Sequence, residues 1–318
     1  MSQISTDIEA AAIQLKKGEV IAIPTETVYG LAGNIFCDKA LKKIYELKKR
    51  PLFNPLIVHI KSIDALANIA IDIPEKALKL AEKFWPGPLT LVLKKQVYIS
   101  DIVTAGKQTV AVRVPNHPAV LSLLEKIDFP LAAPSANPFG SISPTSAQHV
   151  ADYFKAIPLF VLDGGNCIKG VESTIVGFLN DDAILYRHGS ISVDEIEAAI
   201  GTIKVFTKSD DAPEAPGMLP KHYAPKTKTI LTDHIQEQIK FYSDKKIGLL
   251  LFQNEIDNIH IKHQEVLSPF GDLSEAATNL YAALHRLDKQ KLDIIIAEKF
   301  PDFGLGKTIN DRLERAAK

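Results

Sequence analysis

The sequence predicts an α/β protein in which an open, twisted, mixed sheet is followed by a second, smaller Rossmann-like α/β domain. The chain has 318 residues, which is enough for about two domains. Short apolar segments typical of strands alternate with amphipathic segments typical of helices along the whole length. A stretch rich in proline and acidic residues interrupts this alternation after residue 205, as a linker between domains does.

We therefore predict a first domain over residues 1–205, a linker over residues 206–228 and a second domain over residues 229–318. The predicted linker contains four prolines, which are Pro213, Pro216, Pro220 and Pro225. Because proline fixes the backbone angle φ, such a segment is expected to be semi-extended and stiff.

The first domain is expected to begin with a helix, because residues 6–9 form a capping-box pattern and the helical pattern ends at Gly18. The apolar segment 20–23 predicts a buried strand, and Asp38 can cap a helix that stops before Pro51. Further strands are predicted at residues 56–60, 89–93, 109–114, 159–162, 174–178 and 183–187, and further helices at residues 74–84, after Thr145 and after the capping box of Ser192 and Glu195. Some of these strands follow one another too closely for helical crossovers, so we expect a mixed sheet.

The second domain alternates strands and helices regularly. Strands are predicted at residues 229–232, 246–252 and 292–297, and helices at residues 233–243, 272–288 and 307–317. Strands that are separated by helices favour parallel pairing, so this domain is expected to contain a small parallel sheet.

The composition excludes several classes of protein. The 37 basic and 38 acidic residues give a formal net charge of −1, which does not favour tight non-specific binding of nucleic acid, although a local basic patch stays open. The two cysteines, Cys37 and Cys167, exclude a disulfide-rich scaffold and a four-cysteine zinc site. No apolar run approaches about 20 residues and the first ten residues lack a secretory pattern, so we expect a cytoplasmic protein with no membrane partner.

Common catalytic motifs do not account for this sequence. Residues 304–308 look like the end of a phosphate-binding loop, but Pro301 occupies the position of its first glycine, so the start of a terminal helix is the simpler interpretation. Ser135 and Ser173 lack the flanking glycines of a nucleophile elbow. No group of histidine, cysteine and aspartate has the spacing of a protein-held metal site.

The predicted strand at residues 109–114 has two chemically different faces. Its valines share one face, whereas Thr109, Ala111 and Arg113 share the other. Arginine is rarely buried without a partner, so the Arg113 face is expected to border a cleft that holds an anion. The alternative is an edge strand with Arg113 in water.

Other polar residues have both a functional and a structural interpretation. Lys48 and Arg50 close a helix, where basic residues also complement the helix dipole, and Asn54 follows them in a loop bounded by prolines. His59 lies in an apolar strand and is read most simply as a core histidine, and Arg187 ends a strand, where charges are usually solvated.

The loop over residues 134–144 contains three prolines, which restrict its backbone. It also carries Ser135, Asn137 and Ser143. A stiff loop that presents hydroxyl and amide groups suits a phosphate or a carboxylate, because little ordering is needed on binding. A purely structural turn is the alternative.

Many segments, in order, resemble the two-domain form of the YrdC family. The matching segments are residues 24–31, 48–51, 54–59, 85–90, 112–115, 133–137 and 172–176, with 216–218 and 222–225 in the linker and 304–306, 312–313 and 315–317 at the end. The resemblance covers essentially the whole chain. One position differs from some members, because Ala133 stands where they have threonine.

The resemblance implies that L-threonine, bicarbonate or carbon dioxide, and ATP give threonylcarbamoyl-AMP and pyrophosphate. It implies Mg²⁺ that is held mainly by the phosphates, and no organic cofactor. A downstream threonylcarbamoyl transferase complex is the implied partner, which modifies the adenosine beside the anticodon of certain tRNAs. The tRNA itself is expected to bind this protein weakly at most.

The resemblance also implies two substrate sites in a concave basic cleft that the linker covers. The implied threonine site consists of Thr27, His59, Arg113, Ala133 and Ser173. The implied ATP site consists of Arg50, Asn54, Thr109, Ser135, Ser143, Arg187 and Tyr223. The implied catalytic signature consists of Lys48, Arg50, Ser135 and Asn137. Arg113 is the expected carboxylate clamp, since its planar fork can form two parallel hydrogen bonds.

Two other functions are alternatives to this interpretation. One is an RNA-binding module that uses a concave basic face, which the neutral overall charge disfavours as the main role. The other is the carbamoyl-adenylate chemistry of hydrogenase-maturation carbamoyltransferases. Those proteins carry zinc-finger cysteines, which two cysteines cannot supply.

Overall fold

The computed structural model describes residues 2–179, 182–206, 222–258 and 261–318. Within these ranges, eleven strands form one sheet and four strands form a second sheet. Helices pack on both sheets, which confirms the predicted α/β class. Most of the predicted linker, residues 207–221, lies outside the described residues, and the predicted domain boundaries stay predictions.

The elements before residue 206 build the larger sheet. Its strands are β1 (Gln3–Ser5), β2 (Ile21–Ile23), β3 (Gly30–Asn34), β4 (Ile57–His59), β5 (Leu89–Lys94), β6 (Thr109–Arg113), β7 (Leu131–Ala132), β8 (Phe160–Leu162), β9 (Thr174–Leu179), β10 (Asp182–Arg187) and β11 (Lys204–Val205). The helices are α1 (Ile8–Lys16), α2 (Asp38–Lys48), α3 (Glu75–Phe84), α4 (Asp101–Thr104), α5 (Pro118–Glu125), α6 (Ala147–Tyr153) and α7 (Val193–Ile200), with a 3₁₀ helix at Ile63–Asn68.

The elements after residue 221 build the smaller sheet. They are β12 (Lys228–Thr232), α8 (Ile235–Phe241), β13 (Ile247–Leu251), β14 (His263–Val266), α9 (Leu273–Asp288), β15 (Ile294–Glu298) and α10 (Leu305–Ala316). The strand order is β12-β15-β13-β14, and all three pairs are parallel. This arrangement confirms the predicted parallel second sheet.

The larger sheet is mixed, as predicted. Its order is β1-β8-β2-β3-β7-β4-β6-β5-β9-β10-β11. The pair β4 and β6 is parallel, whereas β7 runs antiparallel to β4 and β5 runs antiparallel to β6. This order places the end of β6 beside the end of β4, so that His59 and Arg113 are direct neighbours.

Several predicted helix caps differ from the observed ones. Asp7, and not Thr6, caps α1, because its carboxylate accepts a hydrogen bond from the backbone of Ala10 at 3.0 Å. Asp38 is already inside α2, and Ser146 caps α6 in place of Thr145. The predicted capping box of residues 192 and 195 is confirmed at the start of α7.

Strand β6 separates the main core from the pocket side of the sheet. Val110 and Val112 are buried in the main core cluster together with Leu41 and Leu80 of the covering helices. Ala111 and Ile57 on the opposite face belong to a small separate cluster. The predicted two-faced character of this strand is therefore confirmed.

Helix α9 joins the two sheets. Its residues Ala276, Leu280 and Tyr281 pack in one hydrophobic cluster with Val28 and Val171, which lie before residue 206. Among the described residues, no helix has both the length and the apolar character that crossing a membrane requires.

Candidate active site

A concave pocket lies on the face of the larger sheet that carries Ile57 and Arg113. Two residues that precede the smaller sheet also contribute to its wall. The lining residues are Thr25, Thr27, Val28, Gly30, Arg50, Ile57, His59, Arg113, Ala133, Pro134, Ser135, Glu172, Ser173, Arg187, His222 and Tyr223.

This pocket brings together most of the residues that the sequence singled out. The predicted residues in its wall are Thr27, His59, Arg113, Ala133 and Ser173 from the threonine group, with Arg50, Ser135, Arg187 and Tyr223 from the ATP group. They come from strand ends and loops that are far apart in sequence. The fold therefore assembles one site from segments that were identified separately.

Arg113 is buried and is held by two neighbours from the segment after β2. Its Nη2 donates to the Glu26 carboxylate in an ion pair, and its Nη1 donates to the Thr27 hydroxyl at 3.2 Å. The alternative of an edge strand with Arg113 in water is therefore wrong. The Nε of Arg113 and one oxygen of Glu26 lack a hydrogen-bond partner within the described part of the chain.

His59 is buried beside Arg113 and contributes a neutral ring to the pocket. Burial, with a smaller effect of Arg113, lowers the pKa of His59 to about 3. Its Nδ1 lies 3.3 Å from the carbonyl oxygen of Ile57. His59 is therefore both a buried histidine, as its apolar strand indicates, and a residue of the pocket wall.

Arg50 is buried and is fixed by the loop that follows it. Its Nε donates to the carbonyl of Asn54 at 3.0 Å, and its Nη2 donates to the Asn54 side chain at 2.6 Å and to the Pro55 carbonyl at 2.7 Å. Burial lowers the pKa of Arg50 to about 10, so the guanidinium stays charged near neutral pH. Asn54 thus positions Arg50 from outside the pocket wall.

Arg187 is also buried, so the solvated strand end is the wrong interpretation of this residue. Its Nε and Nη2 donate to the carbonyl of Ser173 at 3.1 and 2.9 Å, and Nη2 also donates to the Ser173 hydroxyl. That hydroxyl lies 2.7 Å from the Thr90 hydroxyl. The described oxygen atoms that hold Arg50 belong to neutral groups, so they leave its positive charge in the pocket, which favours an anionic ligand.

Lys48 supports the proline-rich loop over residues 134–144 from behind. Its ammonium donates to the carbonyls of Ser135 and Asn137, and burial lowers its pKa well below the usual value. The Asn137 side chain donates to the Ser141 carbonyl at 2.8 Å, and Ser143 donates to Glu172 at 2.6 Å. The loop is therefore held rigid while Ser135 stays in the pocket wall.

Thr109 lies at the other end of β6 from Arg113, where it pairs with Lys94 on β5. It is half-buried and is outside the pocket lining. The structure does not bring Thr109 together with the other residues of the predicted ATP site.

Glu172 is a buried carboxylate in the pocket wall that the sequence analysis missed. It accepts hydrogen bonds from Ser143, from the Tyr281 hydroxyl at 2.9 Å and from the Arg312 Nε at 2.8 Å. Burial alone would raise its pKa, but Arg312 and Arg187 with these hydrogen bonds lower it to about 2. The sequence signal that could have identified Glu172 is its position directly before Ser173 in segment 172–176, which resembles the YrdC family.

His222 and Tyr223 close one side of the pocket and are buried. The next residue, Ala224, donates its backbone N–H to the Gly140 carbonyl at 2.8 Å, which attaches this segment to the proline-rich loop. Neither the Nδ1 of His222 nor the hydroxyl of Tyr223 has a hydrogen-bond partner within the ranges that the structure describes. Both residues belong to the pocket lining.

The donor groups of this pocket do not suit a metal that the protein itself holds. Arginines and hydroxyls dominate the lining, and its carboxylate, Glu172, is paired with Arg312. Over the described residues, no group of three or more histidine, cysteine and acidic side chains is arranged to bind a metal ion.

An open mixed sheet with a pocket of buried cations and hydroxyls defines an α/β protein that binds an anionic small molecule. A family model for the Sua5, YciO and YrdC proteins, described as "Telomere recombination", matches residues 14–189. A second model, described as the C-terminal domain of threonylcarbamoyl-AMP synthase, matches residues 191–318. The chain therefore belongs to the Sua5/YciO/YrdC family.

Similar proteins match this chain over nearly their whole length. The threonylcarbamoyl-AMP synthase of Pyrococcus abyssi is 40% identical over 98% of this chain and 94% of its own. The Bacillus subtilis protein of the same name is 41% identical over 100% of this chain and 94% of its own. The crystal structure of P. abyssi Sua5 with L-threonine superposes with a TM-score of 0.91 at 39% identity, covering 100% of this chain and 97% of that one. These matches confirm the predicted family and fold class.

Proposed function

We propose that this chain is an enzyme that makes threonylcarbamoyl-AMP from L-threonine, bicarbonate and ATP, releasing pyrophosphate and water. The observation that carries the proposal is the pocket in which buried arginines and hydroxyls face one space. The names of relatives that are about 40% identical support the same activity.

The reaction needs positioning and charge stabilisation more than a strong base. The amino group of threonine takes up bicarbonate to give a carbamate and water. An oxygen of this carbamate then attacks the α-phosphorus of ATP, and the bond to pyrophosphate breaks, so the enzyme is a nucleotidyltransferase. Both reactants are anions, and groups that hold them in line and stabilise developing charge supply most of the rate acceleration.

Threonine occupies the half of the pocket around Arg113 in this proposal. The Arg113 guanidinium, which Glu26 and Thr27 hold in place, binds the substrate carboxylate. His59 and Ala133 contact the amino acid without adding charge, and Ser173 offers a hydroxyl. The L-threonine complex of P. abyssi Sua5 supports a threonine site in this fold.

ATP occupies the half around Arg50 and Arg187, whose charges attract the triphosphate. Ser135 donates from the proline-rich loop, which Lys48 and Asn137 keep in place. Asn54 and Ser143 act from behind, through Arg50 and Glu172. The assignment of Thr109 to this site rests on the family resemblance.

Mg²⁺ is proposed to enter as part of the nucleotide substrate, held by the phosphates. The arginines of the pocket repel a cation that arrives alone, and the buried carboxylates Glu26 and Glu172 are already paired with Arg113 and Arg312. The ion neutralises phosphate charge when it is bound, and every protein contact described above is independent of it.

The segment with His222 and Tyr223 is proposed to act as a cover that excludes water. The carbamate and the adenylate are both labile, so an open site would lose them to hydrolysis. The cover would continue into the predicted linker, whose residues 207–221 lie outside the described part of the chain.

The product is an activated acyl adenylate that a partner must use promptly. We propose that a cytoplasmic threonylcarbamoyl transferase complex takes the group and attaches it to the adenosine next to the anticodon of tRNA. The formal net charge of −1 is consistent with weak contact, at most, between this chain and the tRNA itself.

The test is pyrophosphate release from ATP that depends on both threonine and bicarbonate. Serine is the matched control, because it lacks one methyl group and a pocket of that size discriminates only about 10- to 200-fold. Release that is independent of the amino acid would contradict the proposal. A tRNA mobility shift at physiological salt without any turnover would instead favour an RNA-binding role.

A further inference from the structure

Arg312 lies on α10 of the smaller domain and is completely buried. It is not part of the pocket lining, yet its guanidinium reaches the back of that wall. Its Nε donates to Glu172 at 2.8 Å, its Nη2 donates to the carbonyl of His188 at 2.7 Å, and its Nη1 pairs with Asp311. Its Cζ also lies 4.7 Å from the centre of the Tyr223 ring.

Three of these contacts lead to the proposed ATP site. Glu172 accepts a hydrogen bond from Ser143, and His188 directly follows Arg187. Tyr223 is itself in the pocket wall. One guanidinium therefore fixes two strand ends of the first domain and the covering segment at the same time.

The charges show why this position needs a cation. Glu172 is buried in the same wall as Arg50 and Arg187, and an uncompensated anion there would repel a triphosphate. Arg312 contacts Glu172 and is not itself part of the pocket lining. Because this partner lies outside the lining, Glu172 is neutralised without using a cation that lines the pocket.

We propose that Arg312 is a positioning residue for the nucleotide, which neutralises Glu172 so that this carboxylate does not repel the triphosphate. It also holds the ring of Tyr223 over the pocket. This inference rests on the proposed function, because it takes the anionic ligand to be ATP. It assigns the smaller domain a direct part in building the ATP site.

The test compares Arg312→Gln, which removes the charge, with Arg312→Lys, which keeps it but loses the planar fork. We expect Arg312→Gln to weaken equilibrium binding of ATP, measured without turnover, at least about 10-fold. Arg312→Lys is expected to stay within about 3-fold of the wild type. The KM for ATP should rise with the binding defect, whereas the KM for threonine should change by less than about 3-fold.

The double variant Arg312→Gln/Glu172→Gln separates charge from packing. Removing the uncompensated carboxylate is expected to restore most of the ATP affinity, since the two residues are coupled. Arg286→Gln is the matched control, because Arg286 forms an exposed two-point ion pair with Glu265 on the same domain. This control should bind ATP like the wild type.

Equal ATP affinity of the wild type and a folded Arg312→Gln variant would overturn the inference. Equal losses in the Gln and Lys variants, without recovery in the double variant, would also overturn it, because they indicate packing alone. A wild-type chain that binds no ATP would refute the proposed function together with the inference, so the two failures are distinguishable.

Discussion

Arg113 and Arg50 are held in the pocket by different kinds of partner. Arg113 is ion-paired with Glu26, whereas Arg50 donates to carbonyl and amide oxygens. A carboxylate partner orients a guanidinium group strongly but offsets its positive charge. Neutral oxygen partners orient the guanidinium group and leave its charge uncompensated. In the proposed function, this difference suits Arg113 to orient the threonine carboxylate and Arg50 to attract the triphosphate.

We expect Arg113→Ala and Arg50→Ala each to reduce kcat/KM for threonylcarbamoyl-AMP synthesis at least about 100-fold, or about 3 kcal/mol. The reason is the loss of a preorganised cation at an anionic transition state. Arg286→Ala, at an exposed ion pair, is the control and should change kcat/KM little. A folded Arg113→Ala enzyme with near-normal turnover would refute the clamp role.

His59 should make the free energy of unfolding depend on pH. Its pKa is about 3 in the folded protein and about 6.5 in an unfolded chain. The unfolded chain therefore takes up the proton first, and stability falls as the pH drops from about 6.5 towards about 3. At about pH 5.5 this residue costs about 1.4 kcal/mol of stability.

Urea unfolding at about pH 7.5 and about pH 5.5 measures this contribution. The change in unfolding free energy between the two should be about 1.4 kcal/mol smaller in His59→Asn than in the wild type. If the change in unfolding free energy between the two pH values were the same in His59→Asn and in the wild type, burial would not hold His59 neutral.

Single residues also show the limit of prediction from the sequence. Arg113 could be predicted because the alternation along β6 places it opposite the valines. Its partner Glu26 could not, because 87 positions separate the two and only the fold brings them together. Glu172 and Arg312 are 140 positions apart, so their pairing was equally hidden.

Among the elements, residues 222–224, which form the described part of the proposed cover, contact the proline-rich loop over residues 134–144. Ala224 is hydrogen-bonded to Gly140, and the ring of His222 packs edge-on against Phe139 with ring centres 5.6 Å apart. The loop that presents Ser135 therefore also anchors the cover. A change in the cover should act on water exclusion more than on the fold of the sheet.

Tyr223→Ala is expected to release pyrophosphate in excess over intact threonylcarbamoyl-AMP. The physical reason is that water enters the site and hydrolyses the labile intermediates. The ratio of the two products, measured in one reaction, tests this expectation. Phe241→Ala, at an exposed aromatic residue of the smaller domain, should keep the wild-type ratio. If Tyr223→Ala gave the same product ratio as the wild type, the proposed role of this segment in excluding water would be contradicted.

Secondary structure was predicted best where its pattern is local. The helices and strands with clear periodicity or a capping box were found, including α7. Strand β3 was missed, because two glycines and an alanine in Gly30–Asn34 give it little strand signal. Strand β7 contains two residues, which is too short for any periodicity to be visible.

For the whole molecule, the contact between the elements of the two sheets is part of the site. Helix α9 shares a hydrophobic cluster with residues that precede position 206, and Tyr281 and Arg312 reach Glu172. The sequence predicted two α/β layers, because alternation of strands and helices is a local signal. It could not predict this interface, which depends on contacts between distant segments.

Gly170 tests how tightly α9 packs against the part of the chain that builds the larger sheet. It adopts φ of +67°, and an added Cβ would lie 2.2 Å from the carbonyl oxygen of Thr278 on α9. Gly201 also has a positive φ, of +79°, but open space around it. We expect Gly170→Ala to lower the free energy of unfolding by about 1–3 kcal/mol more than Gly201→Ala. Equal effects in urea unfolding would mean that α9 does not pack closely there.

The central claim is that one pocket joins threonine, bicarbonate and ATP. Mass spectrometry of the nucleotide products from a reaction with ¹³C-bicarbonate tests it most directly. We expect threonylcarbamoyl-AMP with one labelled carbon, formed in equal amount to pyrophosphate and absent without threonine. Pyrophosphate release with no labelled adenylate, or label that appears without threonine, would contradict the claim.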